Sequence, residues 1–543
     1  MATKTVLLLV VLLSMLMCHV SSAPTASNFK LAAYYSDHMV LQMEPSGAVV
    51  WGYADIGANV TLEFKGKRYP TVAGGAAFTT IGVWKITLDP QPPSGPFTIK
   101  VTSESDGVTE AIDLQDVMFG DVWVCSGQSN MAFDVKQAFN GSVDLQQSYQ
   151  YTDIRVMSVF QEDSPTPYYD LMKLYKPWSR PDPAVLGQGE PGFYFFSALC
   201  WLYGRNLYNH LKYPIGLVSS NWGGTPVEAW SSPSVLAKCN VTSDSANVLF
   251  KKGVRKQGLY GPHDDSGLWN AMIHPLINMT IKGAIWYQGE ANAVNPSPYK
   301  CLFPGMIEDW RSKWYEGTGG QTDQSFPFGF VQLCTSDKPT TEPDQEFCAI
   351  RWHQTVDYGY VPNPSQPNVF MAVAIDLPDL SSPYGPIHPR YKQDVADRLT
   401  LGARSVAYGE EGVVFQGPFP SEVLRVSSSD IFVEFDDGKA VLAARGTNGF
   451  DVCCSTTPAN CPLAGIKAPW VEVETTLEVG TSYVLLEDPC IALGSRASVV
   501  RYIWRDMPCT YKNCQLYDAR SGLPVPPFIK EIEDAYHLKW TPP

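Results

Sequence analysis

After Val117 the chain repeats one pattern: a short apolar run, then a stretch of helical character, then another apolar run. The runs are Val122-Trp123-Val124-Cys125, Ile215-Gly216-Leu217-Val218, Gly283-Ala284-Ile285-Trp286-Tyr287, Phe328-Gly329-Phe330-Val331 and Val369 to Ile375, and the helical stretches include Phe195 to Leu211 and Met306 to Trp314. Runs that are apolar on both faces predict strands buried on both sides, and their alternation with helices predicts an α/β fold with a parallel sheet wrapped by helices. Such sheets bind ligands at the carboxyl ends of their strands. There this sequence turns polar, at Ser129, Asn221 to Thr225, Gln288 to Asn292 and Asp376.

The first of these ends reads Gly120-Asp121-Val122-Trp123-Val124-Cys125-Ser126-Gly127-Gln128-Ser129-Asn130-Met131. Gly127 permits a sharp turn off the strand, so the Ser129 hydroxyl and a neighbouring amide can face one cleft, as in other strand-to-helix nucleophile turns. A serine that only caps a helix would have the same neighbours.

The flanks are different. From Leu31 to Asp116, short β-forming segments (Val49 to Tyr53, Val60 to Phe64, Trp84 to Leu88, Phe97 to Val101) are divided by Pro/Gly-rich turns and predict a β-sandwich over residues 24–116. The α/β domain is expected over 117–408 and a cysteine-rich β region over 409–543. In that last region Ile431 to Phe435 and Ala440 to Leu442 flank Asp436-Asp437-Gly438-Lys439, a hairpin signature.

Residues 1–23 carry Lys4, an apolar core and the small residues Ser21, Ser22 and Ala23, which is a secretory signal peptide, with Pro24 leaving the cleavage position open. No later run is long enough to span a bilayer. The address is therefore lumenal, lysosomal or secreted. The twelve cysteines after residue 23 are expected to form disulfides, locally among the last five or six, with Cys125 left as a free buried thiol in its core strand. Sequons at Asn59, Asn140, Asn240 and Asn278 predict N-glycosylation. A formal charge of -15 without a basic block argues against nucleic acid as a partner. With neither Cys-x-x-Cys nor His-Glu-x-x-His present, a zinc site has no support, and no cofactor is expected.

Four ordered blocks carry a resemblance: Gly-Gln-Ser-Asn-Met at 127–131, Asn-Trp-Gly-Gly-Thr-Pro-Val-Glu-Ala-Trp at 221–230, Trp-Tyr-Gln-Gly-Glu-Ala-Asn at 286–292 and Ile-His-Pro at 387–389. Together with Asp37 to Gln42 and Gly522 to Phe528, they resemble the sialate O-acetylesterases of the SGNH-type hydrolases over nearly the whole mature chain. The resemblance implies a serine esterase that removes O-acetyl groups from sialic acids, chiefly at the 9-position, with an O-acetylated sialic acid or sialoglycan as its substrate. An esterase of another acetylated carbohydrate, such as xylan, is the alternative, and a non-catalytic sugar-binding relative is disfavoured by the intact serine and histidine.

Within that reading Ser129 attacks the acetyl carbonyl, and His388 takes its proton and later activates water. His274 is the rival base; His353 and His38 read as structural. Ser129 N–H and a backbone N–H at Gly223 or Gly224 are the expected oxyanion donors, and the resemblance adds the Gln288 side chain. The acid breaks the pattern. SGNH hydrolases commonly carry aspartate three residues before the histidine, where this chain has Gly385. Glu290 is the preferred substitute, Asp376 and Asp379 are alternatives, and a Ser-His dyad is the remaining option.

Overall fold

The computed structural model describes residues 28–535 apart from 77–78, 188–195, 242–260, 336–345, 447, 464–468, 474 and 477–479. The expected signal peptide and Phe195 lie outside the described residues.

Among the described residues the central sheet has a main run of seven strands: β1 (Val108–Gly127), β2 (Ile154–Val159), β3 (Leu174–Ser179), β4 (Ile215–Asn221), β5 (Gly283–Tyr287), β6 (Phe328–Gln332) and β7 (Val369–Val373). Their spatial order is β3-β2-β4-β1-β5-β6-β7, all parallel except the edge strand β3. All five expected strands are there. The two extra strands, β2 and β3, lie on the side where the sequence carries fewer long apolar runs. β1 has β4 and β5 as neighbours, and the register sets Gly127 opposite both Asn221 and Tyr287. Three polar loops therefore leave the sheet side by side, and this register is what assembles the site.

β1 is one strand of 20 residues that begins in the N-terminal β region, where it pairs with Ser94–Ser105, and ends at the site. The boundary expected at 116/117 thus falls inside a strand. The Asp37–Gln42 motif serves this junction: Val40–Gln42 pairs parallel with Met118–Gly120, and the Gln42 amide brackets β1 by donating to Asp121 Oδ1 at 2.8 Å and accepting from Val122 N–H at 2.9 Å.

Helix α1 (Ser129–Ala132) follows β1, α2 (Ala198–Leu211) precedes β4, α3 (Tyr299–Gly317) links β5 to β6, and α4 (Lys392–Gly402) follows β7. Cys125 is not free: it is bonded to Cys200 of α2, tying the core strand to the helix packed on it. Four further disulfides join Cys239–Cys301, Cys453–Cys461, Cys454–Cys490 and Cys509–Cys514, and Cys334 and Cys348 are buried thiols. The six most C-terminal cysteines do pair locally.

The expected hairpin at Asp436–Lys439 does not form. Asp430–Phe435 pairs with Pro420–Arg425 and Tyr483–Glu487, while Leu442–Ala444 pairs with Leu516–Asp518 in another sheet. Asp436, Asp437 and Gly438 all take positive φ, a run that carries the chain out of the first sheet instead of folding it back. No helix among the described residues is long and apolar enough to cross a membrane.

Candidate active site

The Gly127–Ser129 turn, the expected nucleophile turn, is clamped by the strands beside it. Gln128 N–H donates to the Tyr287 carbonyl at 2.9 Å, and Trp222 N–H donates to the Gly127 carbonyl at 3.1 Å. Gly127 has φ +137°, and a Cβ there would meet the Tyr287 carbonyl oxygen at 2.2 Å, so no other residue fits. Ser129 then opens α1, half-buried, while Asn130 and Met131 are buried beneath it. The cap position falls to Gln128, whose side chain makes no cap bond. A plain N-cap role for Ser129 is therefore not what the local geometry uses.

Gly223 and Gly224 form the turn after β4. The Gly223 carbonyl accepts from Gly261 N–H at 2.7 Å. Because the peptide is planar and trans, Gly224 N–H points the opposite way, and no described residue accepts from it. Gly224 has φ +73°, the left-handed region that favours glycine.

Gln288 does not fit the donor role expected of it. It is fully buried, its Nε2 donates to Thr225 O at 3.1 Å and Asn292 Oδ1 at 2.7 Å, and its Oε1 accepts from Tyr299 Oη at 3.0 Å. With both ends of the amide used, Gln288 holds the Gly223–Gly224 turn in place through Thr225. Asn292 completes the latch, accepting from Val227 N–H at 2.9 Å and donating to Glu228 Oε2 at 2.7 Å.

His388 lies in a turn closed by its own N–H on the Gly385 carbonyl at 2.9 Å, and its carbonyl accepts from Ser382 Oγ at 2.7 Å. Gly385, with φ +89°, makes that turn, which accounts for glycine where an aspartate is usual. His388 Nδ1 is 2.8 Å from the Tyr384 carbonyl oxygen. A carbonyl only accepts, so the neutral ring carries its proton on Nδ1, and Nε2 is the nitrogen with the basic lone pair. Burial lowers the imidazole pKa and the Lys392 ammonium adds to that, while the Tyr384 carbonyl works the other way.

The expected acids all have other partners. Among the described residues Glu290 does not bond His388: its Oε1 accepts from Asn130 Nδ2 at 2.6 Å, and its buried Oε2 has no described hydrogen-bond partner. Burial raises its pKa, against the pull of Asn130 and Lys392. Asp376 is buried in a two-pronged pair with Arg398 at 2.6 and 3.0 Å. Asp379 is paired with Arg390 at 2.6 and 3.0 Å, and against the cost of burial this pairing holds its pKa below the ordinary carboxylate value. The rival base His274 has Nδ1 on the Tyr168 carbonyl at 2.8 Å and its ring edge-on to Trp269. His353 and His38 are bonded to Asp357 and Asp116, both at 2.7 Å, as structural histidines would be.

The base loop and the nucleophile turn touch directly. Asn130 Nδ2 donates to the Ile387 carbonyl at 2.9 Å, which sets the residue after Ser129 against the residue before His388. Sequence reasoning gave Asn130 no role and missed Lys392, whose Nζ donates to Asn130 Oδ1 at 2.7 Å. The signal for Lys392 was there. It shares the i, i+3, i+4, i+7 face of α4 with Val395, Ala396 and Leu399, and all four are buried. Beside the base loop a cleft of about 290 Å³ is lined by Phe139, Tyr384 and Arg390 among others.

A nucleophile turn, a histidine loop and a glycine turn at the carboxyl ends of a parallel sheet define an SGNH-like α/β esterase. The family described as "Carbohydrate esterase, sialic acid-specific acetylesterase" matches residues 119–379, and the "Sialate O-acetylesterase C-terminal domain" matches 421–532. Sialate O-acetylesterase of Homo sapiens is 42% identical over 509 residues, covering 93% of each chain, and that of Mus musculus is 43% identical over 527 residues, covering 93% of this chain and 94% of the other. A crystal structure described as a novel carbohydrate acetylesterase from Xanthomonas citri matches with a TM-score of 0.72 at 27% identity, covering 92% of this chain and 99% of that one. The chain belongs to the sialate O-acetylesterase family.

Proposed function

We propose that the protein removes O-acetyl groups from sialic acids, the 9-O-acetyl ester foremost, with Ser129 as nucleophile and His388 as base, the imidazole oriented by the Tyr384 carbonyl. Ser129 Oγ attacks the acetyl carbonyl carbon as His388 Nε2 takes its proton, and the tetrahedral oxyanion is held by Ser129 N–H and Gly224 N–H. The imidazolium returns the proton to the departing sugar hydroxyl, leaving acetyl-Ser129. Water, deprotonated by Nε2, then cleaves the acetyl-enzyme to acetate and free serine. The Tyr384 carbonyl does the orienting part of the usual acid's work: it selects the tautomer and fixes the ring. Its dipole offers the imidazolium less stabilisation than a full negative charge does.

The observation that carries this reading is the Asn130–Ile387 hydrogen bond, which joins the two segments bearing nucleophile and base. Four disulfides besides Cys125–Cys200 favour an oxidising compartment, and with residues 1–23 as a signal peptide the protein enters the secretory pathway, for the lysosome or for export. Asn59, Asn140 and Asn240 are exposed and suit glycans. Asn278 does not, being buried with its Oδ1 accepting from Lys85 Nζ at 2.6 Å.

Acetate release from 9-O-acetylated sialic acid and from acetylated xylan, by wild type and Ser129→Ala, tests the proposal. Wild-type turnover of the sialic acid ester that Ser129→Ala abolishes is expected. Preference for xylan would replace the substrate, and turnover by Ser129→Ala would remove the nucleophile.

A further inference from the structure

One buried cation links the nucleophile turn to the base loop. Lys392 is fully buried at the start of α4, and its ammonium donates to Asn130 Oδ1 at 2.7 Å and to the Pro389 carbonyl at 2.8 Å. Asn130 follows Ser129, and Pro389 follows His388. On its other side the Asn130 amide donates to Glu290 Oε1 at 2.6 Å and to the Ile387 carbonyl at 2.9 Å. Its orientation is therefore set twice over: a flipped amide would turn its NH₂ toward the ammonium and its oxygen toward the carboxylate.

Resting on the Ser129–His388 reading, we propose that Lys392 is a positioning residue for the reaction: through Asn130, with Glu290 as counter-charge, it holds the base loop in register with the nucleophile turn. A lysine buried on an apolar helix face is costly to desolvate, and a site that needed only volume there would be filled more cheaply by leucine or methionine. The ammonium also lies over the rings of Phe133 and Tyr287, 4.5 and 5.4 Å from their centroids, within reach of cation–π attraction. Its hydrogen-bond partners are a side-chain oxygen on the Ser129 segment and a backbone oxygen on the His388 segment.

The charge also acts on the base. Burial draws Lys392 down to about 7, while Cys334, Glu290 and Asp379 favour its protonated form. The ammonium in turn lowers the His388 pKa, alongside burial and against the Tyr384 carbonyl. Removing it lets the imidazole bind a proton more readily.

Lys392→Met keeps the stem and removes the donors. The expected result is kcat lower by roughly a hundredfold, as for a reacting group displaced by about 1 Å, with KM little changed. The acid limb of the kcat/KM profile should also move to higher pH, which loss of packing alone does not produce. Because Lys392→Met strands Glu290 without its counter-charge, Glu290→Gln/Lys392→Met is measured beside it, with both charges removed. A folded double variant that still shows low kcat and the raised acid limb bears the proposal out. Wild-type kcat and an unmoved limb in either folded variant overturn it. So does a double variant that does not fold, which makes Lys392 a determinant of the fold and not of the site. Ser129→Ala in the same assays separates the two readings: if it stays active the dyad falls, and if it is inert while the Lys392 variants turn over normally, only the positioning role falls.

Discussion

Gly127→Ala tests the geometry on which the site depends. The added Cβ would stand 2.2 Å from the Tyr287 carbonyl oxygen, with the Tyr287 carbonyl carbon and nitrogen at 2.8 and 2.9 Å. All three are backbone atoms of β5, so no side chain can swing away. Reaching ordinary contact at 3.4 Å requires a movement of about 1.2 Å, and it breaks or lengthens the Gln128 N–H bond to the same oxygen. The φ of +137° adds strain for any residue with a Cβ. Together these cost about 2–6 kcal/mol, from about 1–3 for backbone strain and about 1–3 for overpacking. Ser129 is two residues further on, so the same displacement moves the nucleophile by about 1 Å, enough to lower kcat roughly a hundredfold. The assay is acetate release together with thermal unfolding, and Gly74→Ala is the control, since no described residue comes within 4 Å of a Cβ at Gly74. The control should stay within about 0.5 kcal/mol of wild type. A Gly127→Ala protein with wild-type kcat and Tm would show that the strands do not clamp the turn.

The His388 pKa lies below the ordinary 6.5, and the base works only when neutral, so kcat/KM should persist as pH falls past 6.5 and be lost only below it; an acid limb above 6.5 contradicts the buried setting of the ring. Asp376→Asn breaks a buried pair and should cost about 3–5 kcal/mol of stability while the folded fraction keeps its kcat, whereas a lower kcat at unchanged Tm would return Asp376 to the chemistry. Replacing Cys125 and Cys200 by alanine opens a loop with a sequence separation of 75, and chain entropy alone sets the cost at about 4 kcal/mol, read as a lower Tm with the assay at 25 °C little affected; no change in Tm would mean that the bond does not form. Glycopeptide mass spectrometry should find Asn278 unmodified, and a glycan there would mean that the Lys85 contact is absent.

What the sequence discloses depends on whether a role belongs to a residue type. The parallel sheet was readable because burial on both faces demands continuous apolar runs, and β5 was bounded to the residue as Gly283–Tyr287. β2 and β3 escaped because neither shows that composition plainly: Arg155 interrupts one, and the exposed edge strand mixes Tyr175, Lys176 and Pro177. Cys125 looked like a core thiol because its partner is 75 positions away on a helix, and no local spacing encodes that packing. The failed hairpin at Asp436–Lys439 had the right turn residues, but strand pairing there is decided by Pro420–Arg425 and Leu516–Asp518, which compete from elsewhere in the chain.

The site divides along the same line. The proposed serine and histidine are visible because a hydroxyl nucleophile and a neutral-pH base each need a particular side chain. The sequence points to a carboxylate as the partner of the histidine, Glu290 first, because a side chain is what a sequence can display. The structure sets the Tyr384 carbonyl, a group every residue possesses, with its oxygen 2.8 Å from His388 Nδ1, so no letter at position 384 could have announced it. What the letter at 385 did announce was the turn: glycine at φ +89° lets the chain fold back so that the carbonyl of residue 384 faces the ring of residue 388. Gln288 erred in the opposite direction, since its amide can donate to an oxyanion, but Thr225, Asn292 and Tyr299 already occupy it. Capability is written in the residue type, whereas availability depends on which neighbours the fold has already supplied. That is why the glycine turn, whose Gly224 N–H is left without a described acceptor, is the better candidate for the oxyanion.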